Sequence, residues 1–192
     1  MNIESFNKRH SEIIDLVQKE FDRNTDKYGN KIKCCKGCSQ CCHQIFNITL
    51  IDEFVITKFV TKLHDEKRSL LKNKAKNYLA SVNITEDKSG DFSKKSGIPC
   101  PALGDKGECT IYDGRPLICR RFGPPIFDYK NPSNIYACEL NFEPGEEIFD
   151  DDLIPKQTHI GKLWDNFKTE FNHQFEMNAR TSTTIAEAIL NS

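Results

Sequence analysis

The chain has 192 residues, 29% of them charged, with 27 Lys and Arg against 28 Asp and Glu for a formal net charge of -1. A chain of this size buries roughly 70% of the surface its unfolded form exposes, so it can fold around a core of its own. The balanced charge gives no electrostatic drive toward nucleic acid or an anionic membrane, and no apolar run approaches the ~20 residues that span a bilayer.

The first thirty residues lack the apolar region of a secretory signal, and the expectation is a cytoplasmic protein. In a reducing compartment its nine cysteines favour metal binding or catalysis over disulfides. The odd count also leaves at least one thiol outside any complete pairing.

From Ser5 to about Asn24, Phe6, Ile13, Ile14, Val17 and Phe21 recur at helical spacing, with Ser5 as the expected N-cap. Lys27 to Lys36 breaks that pattern and reads as a loop leading into a cysteine cluster. Ile45 to Leu50 alternates loosely. Asp52 to Leu63 is the next helical stretch, capped by Thr49 or Asp52, and Asp65 to Val82 is a third. In the third, Leu70, Leu71, Ala75, Tyr78 and Leu79 are expected inward, and its lysines form a solvated outer face. Asn83 to Gly97 reads as an exposed loop. Ile98 to Pro155 is rich in Gly and Pro with weak periodicity, which implies irregular backbone pinned by something other than helix packing. Thr158 to Met177 carries Ile160, Leu163, Trp164, Phe167, Phe171 and Phe175 at helical spacing, and Thr183 to Leu190 suits a short last helix. The expected architecture is mainly α: amphipathic helices packed around an irregular cysteine-rich metal-binding segment. It reads as a single domain, 1–192, with a metal-binding core at about 34–140.

Cys35, Cys38, Cys41 and Cys42 stand in CxxCxxCC register, with Cys34 as an extra thiol outside it. Two residues between cysteines let the chain turn back so that both sulfurs approach one metal at ~2.3 Å. Gly37 eases that turn. Cys100, Cys109, Cys119 and Cys138 are too dispersed to specify a site alone, yet together with the first four they supply enough thiols for two four-ligand sites, or for one cluster plus several structural cysteines. Adjacent cysteines diverge on a strand or an α-helix, so Cys41 and Cys42 are not expected to share one mononuclear ion, and ligands from both halves are expected to mix. Lys33, Lys36, Arg115, Arg120 and Arg121 could balance the negative charge of a four-thiolate zinc or [4Fe-4S] centre. The spacing does not separate zinc from iron-sulfur. Cys100-Pro101 after CxxCxxC is similar to the ligand run of ferredoxin-type clusters, while CxxC pairs suit structural zinc equally.

The order CxxCxxCC, Cys100-Pro101, Cys109-Thr-Ile-Tyr112 and Arg115-Pro-Leu-Ile-Cys119-Arg120 resembles the YkgJ-type cysteine-cluster family, a zinc- or iron-chelating domain also found within flagellin lysine N-methylases. The resemblance covers about Cys35 to Cys138. It implies a metal-ligand role for Cys35, Cys38, Cys41, Cys42, Cys100, Cys109, Cys119 and Cys138, without implying a reaction.

His43, directly after Cys42, is a candidate substitute ligand. His10, His64, His159 and His173 read as surface residues or helix-end partners, and Arg115 as a residue that bonds the backbone near the metal. Three functions follow. The first is a metal-binding protein on a cysteine-ligated zinc or [4Fe-4S] centre, with room for a protein partner. The second is an iron-sulfur enzyme, protein-lysine methylase-like, or an electron carrier, although no GxGxxG loop follows a predicted strand. The third is a thiol redox protein.

Overall fold

A computed structural model describes residues 2–82, 97–175 and 182–192. The loop expected at Asn83 to Gly97 lies almost wholly outside the described residues. In chain order the elements are α1 (Ile3–Tyr28), β1 (Asn47–Ile48), α2 (Leu50–Thr61), α3 (Asp65–Val82), α4 (Leu117–Arg121), β2 (Ile126–Phe127), β3 (Ile135–Tyr136), α5 (Leu153–Gln174), β4 (Thr183–Thr184) and α6 (Ile185–Leu190). The chain is mainly α, and among the described residues between α3 and α5 a 3-10 turn at Tyr112–Gly114, α4 and the two-residue strands β2 and β3 are set in turns and bends. Among the described residues no helix is long and apolar enough to cross a membrane. The fold divides into two compact units, Met1–Cys34 with Cys119–Asn178, and Cys35–Ile118 with Ala179–Ser192.

The first unit is built on α1 and α5. The N-cap of α1 is Asn2, three residues before the expected Ser5, because Asn2 Oδ1 accepts the Ser5 N–H at 2.8 Å and so satisfies one of the orphan donors of the first turn. Its buried face is Phe6, Ile13 and Val17 followed by the polar Glu20 and Asn24. α5 also starts early. Pro155, which closed the irregular stretch in the sequence, sits in the first turn of α5, where a missing N–H leaves no intrahelical bond unmade. Ile160, Trp164, Phe167 and Phe171 are buried, and the Phe6 ring meets those of Phe167 and Phe171 at centroid distances of 5.2 and 5.6 Å. Phe175 is exposed because the helix ends one residue before it. β2 and β3 pair antiparallel, Ile126 opposite Tyr136, and β2 lies against α5.

The second unit gathers α2, α3 and α6. β1 pairs antiparallel with β4, Asn47 opposite Thr184, which carries α6 onto α2 and α3. Both short helices open on capping boxes, Thr49 with Asp52 and Thr184 with Glu187. Ile51, Ile56 and Val60 of α2 and Ala186, Ala188 and Ile189 of α6 are buried. On α3 the inward stripe is Leu71, Ala75 and Tyr78, and Leu70 points away with 62% of its surface exposed. One residue is a 100° step on a helix, enough to carry Leu70 off the stripe.

Candidate metal centre

Six of the nine cysteines belong to the second unit: Cys35, Cys38, Cys41, Cys42, Cys100 and Cys109. The CxxCxxCC segment folds as successive tight turns. The Cys38 N–H donates to the Cys35 carbonyl at 3.0 Å, Cys42 N–H to Ser39 at 2.9 Å and Gln44 N–H to Cys41 at 3.2 Å. Residues Gln40–His43 form a single 3-10 turn. Cys41 and Cys42 both lie in this turn, and the neighbouring Cys42 raises the cost of ionising the Cys41 thiol. His43 turns its Nδ1 to the Ser39 carbonyl at 3.1 Å, inside the same turn.

Cys100 joins this segment through its backbone, its N–H donating to the Cys42 carbonyl at 2.7 Å. The chain then doubles back. Leu103 bridges Cys109 in antiparallel fashion, Gly104 N–H donates to Glu108 at 2.7 Å and Thr110 N–H to Ala102 at 2.8 Å. The tip of this hairpin is Gly107, with φ +78°, and it rests on the backbone of Gly37 in the CxxC turn. A side-chain carbon at Gly107 would lie 2.8 Å from the Gly37 carbonyl oxygen, so only glycine lets the two backbones approach.

The electrostatics reflect crowded sulfur. Cys41 is pushed well above the ordinary thiol range, first by its hydrogen bond with Cys42 and then by burial, while Arg115 pulls in the opposite direction. Cys100 is pushed up to about 12, chiefly by burial, with Cys109 and Cys41 adding to the rise and Lys74 opposing it. Removing protons here therefore requires compensating positive charge. Lys74, part of the face of α3 expected to be mere solvated surface, reaches the Leu103 carbonyl. No sequence periodicity marks it, since the hairpin it serves is contributed by residues far along the chain.

Arg115 is held in place by its own turn. Its Nε donates to the Tyr112 carbonyl at 3.1 Å, and its guanidinium lies 3.6 Å from the centroid of the Tyr112 ring. The turn is anchored on α2 at two points. Gly114 packs against Phe59, and the buried Asp52 accepts the Leu117 N–H at 2.8 Å. Asp52 thus both caps α2 and fixes the Arg115–Leu117 strand of chain, a second role that its capping signature conceals.

Cys34, Cys119 and Cys138 belong to the first unit. Cys119 lies in α4 and is half-buried, whereas Cys138 is buried and donates its N–H to the Gly123 carbonyl at 3.0 Å. Arg121, two residues after Cys119, is turned into the unit. It donates to Gln157 Oε1 at 3.1 Å and to the Phe127 carbonyl at 3.3 Å. Gln157, 4% exposed, also accepts the Phe127 N–H at 2.8 Å and donates to the Pro125 carbonyl at 2.9 Å, which braces the chain that follows α4. Of the other histidines, His64, His159 and His173 are exposed. His10 is not a surface residue. It stacks on Phe6, and burial first, then the charge of Arg120, lowers it to about 4.

The donor set suits a thiophilic ion: six thiols in one unit, several of them raising one another's cost of ionisation, with Arg115 and Lys74 opposing that cost. Among the described residues, no three His, Cys, Asp or Glu side chains stand in metal-holding geometry. The backbone brings the turn and the hairpin together without closing their sulfurs on one point.

A family model described as "CxxCxxCC: Putative zinc- or iron-chelating domain" matches residues 33–138, more than half of the chain. None of the curated proteins and none of the solved structures matches.

Proposed function

The chain belongs to the CxxCxxCC family of zinc- or iron-chelating domains, and from that premise we propose that it is a cytoplasmic protein built around a cysteine-ligated zinc or [4Fe-4S] centre. The proposed ligands in the second unit are Cys35, Cys38, Cys41, Cys42, Cys100 and Cys109. Cys119 and Cys138 are proposed as ligands from their place in the family motif. The observation that carries the reading is the 2.7 Å bond from the Cys100 N–H to the Cys42 carbonyl, which sets the Cys-Pro segment against the CxxCxxCC turns.

The residues of the chain would act as follows. Cys35 and Cys38, closed by their own turn, would present a pair of sulfurs, and Cys41 and Cys42 a second pair. The hairpin that starts at Cys100 and returns through Cys109 would supply the remaining donors. Arg115 and Lys74 would offset the charge left on the thiolates. A four-thiolate zinc would make a closed structural centre, whereas a cubane would supply one-electron redox chemistry. In the first case the function is to hold the irregular segment in one shape for a protein partner.

The test is purification without oxygen followed by elemental analysis, visible absorption and acid-labile sulfide. Stoichiometric zinc in colourless protein, or iron with sulfide and broad visible absorption, is the expected result, with most of it lost in Cys38→Ser. Metal-free protein whose thiols titrate freely would remove the reading and leave a thiol redox role in its place.

A further inference from the structure

We propose that the first unit binds one ordered water molecule in a polar cavity between α1 and the chain that follows α4, held by Asn24, Glu20 and Arg121. The site needs no sulfur and is independent of the metal-binding reading.

The first observation is an acceptor in need of a partner. Asn24 is 1% exposed. Its Nδ2 donates to the Glu20 carbonyl at 2.8 Å and to Glu20 Oε1 at 2.9 Å, while its Oδ1 is buried and meets no donor among the described residues. Turning the amide over does not repair this. It would set Oδ1 against two acceptors, the carbonyl and the carboxylate of Glu20, and would orphan Nδ2 instead. A buried side-chain oxygen in a folded protein is as a rule bonded, either to protein or to ordered water.

The second observation is space. Val17, Glu20, Asn24, Arg121, Gln157 and Ile160 are among the residues lining a cavity with about 10 Å³ open to the centre of a water molecule. That admits one water and nothing larger. Since Glu20 takes Nδ2, the oxygen is the polar atom that Asn24 has left to offer this space. A purely apolar cavity of this size would stay dry, but a water with two to four polar partners is retained.

The neighbouring bonds decide which side chains can serve. Gln157 is saturated: its Oε1 accepts from Phe127 and Arg121, and its Nε2 donates to Pro125 and Glu20. On Glu20, Oε1 is shared by Arg23, Asn24 and Gln157, whereas Oε2 accepts from Arg23 Nε and has lone-pair capacity to spare. Arg121 uses Nη2 for its bonds to Gln157 and the Phe127 carbonyl, which leaves Nε and Nη1 to donate. A water here donates to Asn24 Oδ1 and to Glu20, and accepts from Arg121. Three bonds are what buried waters typically make. The water thereby ties α1 to the segment that carries Arg121, beside the direct bond from Gln157 to Glu20.

The test uses the unaltered full chain. A high-resolution crystal structure is expected to show one density peak in the cavity within hydrogen-bond distance of Asn24 Oδ1. Magnetic relaxation dispersion of water oxygen counts the waters that stay bound for longer than the protein takes to tumble, and it should include this one. Asn24→Leu nearly keeps the side-chain volume and removes the acceptor, so the dispersion amplitude should fall by one water. A cavity without a peak in the unaltered chain overturns the proposal, and so does an amplitude that the substitution leaves unchanged. Where the variant does not fold, the crystal structure of the unaltered chain decides alone.

Discussion

Cys100 donates its backbone N–H to the carbonyl of Cys42 at 2.7 Å, so main chain joins the two cysteine segments. Main-chain contact survives a change of side chain. Cys100→Ser should therefore fold, with the metal-free protein destabilised by about 1 kcal/mol for placing a hydroxyl in a half-buried site, while its metal content drops sharply. Urea unfolding of metal-free protein beside elemental analysis of loaded protein measures the two effects separately. A variant that keeps its full metal content would show that Cys100 is present for its backbone alone.

The hairpin tip makes the opposite case, in which the side chain must be absent. Gly107→Ala puts a methyl group 2.8 Å from the Gly37 carbonyl oxygen at φ +78°. Backbone strain and forced separation should together cost about 2 kcal/mol, read as a lower urea midpoint with an unchanged slope. Metal retention should weaken as well, since the hairpin can no longer rest on the CxxC turn. Ordinary stability in this variant would mean that the two backbones are not in contact in solution.

Asp52 joins three donors: the Thr49 N–H at 3.0 Å, the Thr49 hydroxyl at 2.7 Å and the Leu117 N–H at 2.8 Å. Asp52→Ala removes half of a capping box and leaves the Leu117 N–H without its acceptor, which should cost about 2 to 4 kcal/mol. Asp52→Asn keeps one oxygen, and if that oxygen faces Leu117 the loss should be about half as large. Thermal unfolding of the two variants side by side would test this ranking. Equal losses would indicate that charge, and not the bond to Leu117, is what matters at this position.

The helices were legible because each buries one stripe. Leu71, Ala75 and Tyr78 mark α3, and Ile160, Trp164, Phe167 and Phe171 mark α5, by spacing alone. The ends were less legible, since Asn2 and Pro155 act through first-turn geometry that apolar periodicity does not report. In the candidate site the CxxC turns could be read locally, because two-residue spacing dictates them. Lys74, the second role of Asp52 and the approach of Asn141 to Cys34 could not be read. Each depends on a partner at least 29 residues away, such as Lys74 at Leu103, Asp52 at Leu117 or Asn141 at Cys34, and single residues of these types look like ordinary surface or capping residues.

His10 makes the first unit sensitive to acid. The ring stacks on Phe6 at 5.9 Å and lies 6.3 Å from the Trp164 ring, and burial, reinforced by the charge of Arg120, lowers its pKa from 6.5 to about 4. Between those values the unfolded chain takes up a proton that the folded chain refuses, so stability falls as pH falls through this window and its His10 component levels off below about 4. At 1.36 kcal/mol per unit, the penalty approaches about 3 kcal/mol at the acid end. His10→Gln removes this component while leaving the carboxylates that titrate at low pH in both proteins. The difference in unfolding free energy between the two chains should therefore be constant above pH 7, and should shift in favour of the variant by up to about 3 kcal/mol as the pH approaches 4. Chemical denaturation of metal-free protein at pH 7, 6, 5 and 4 supplies that difference, and a value independent of pH would mean that His10 is protonated freely in the folded state.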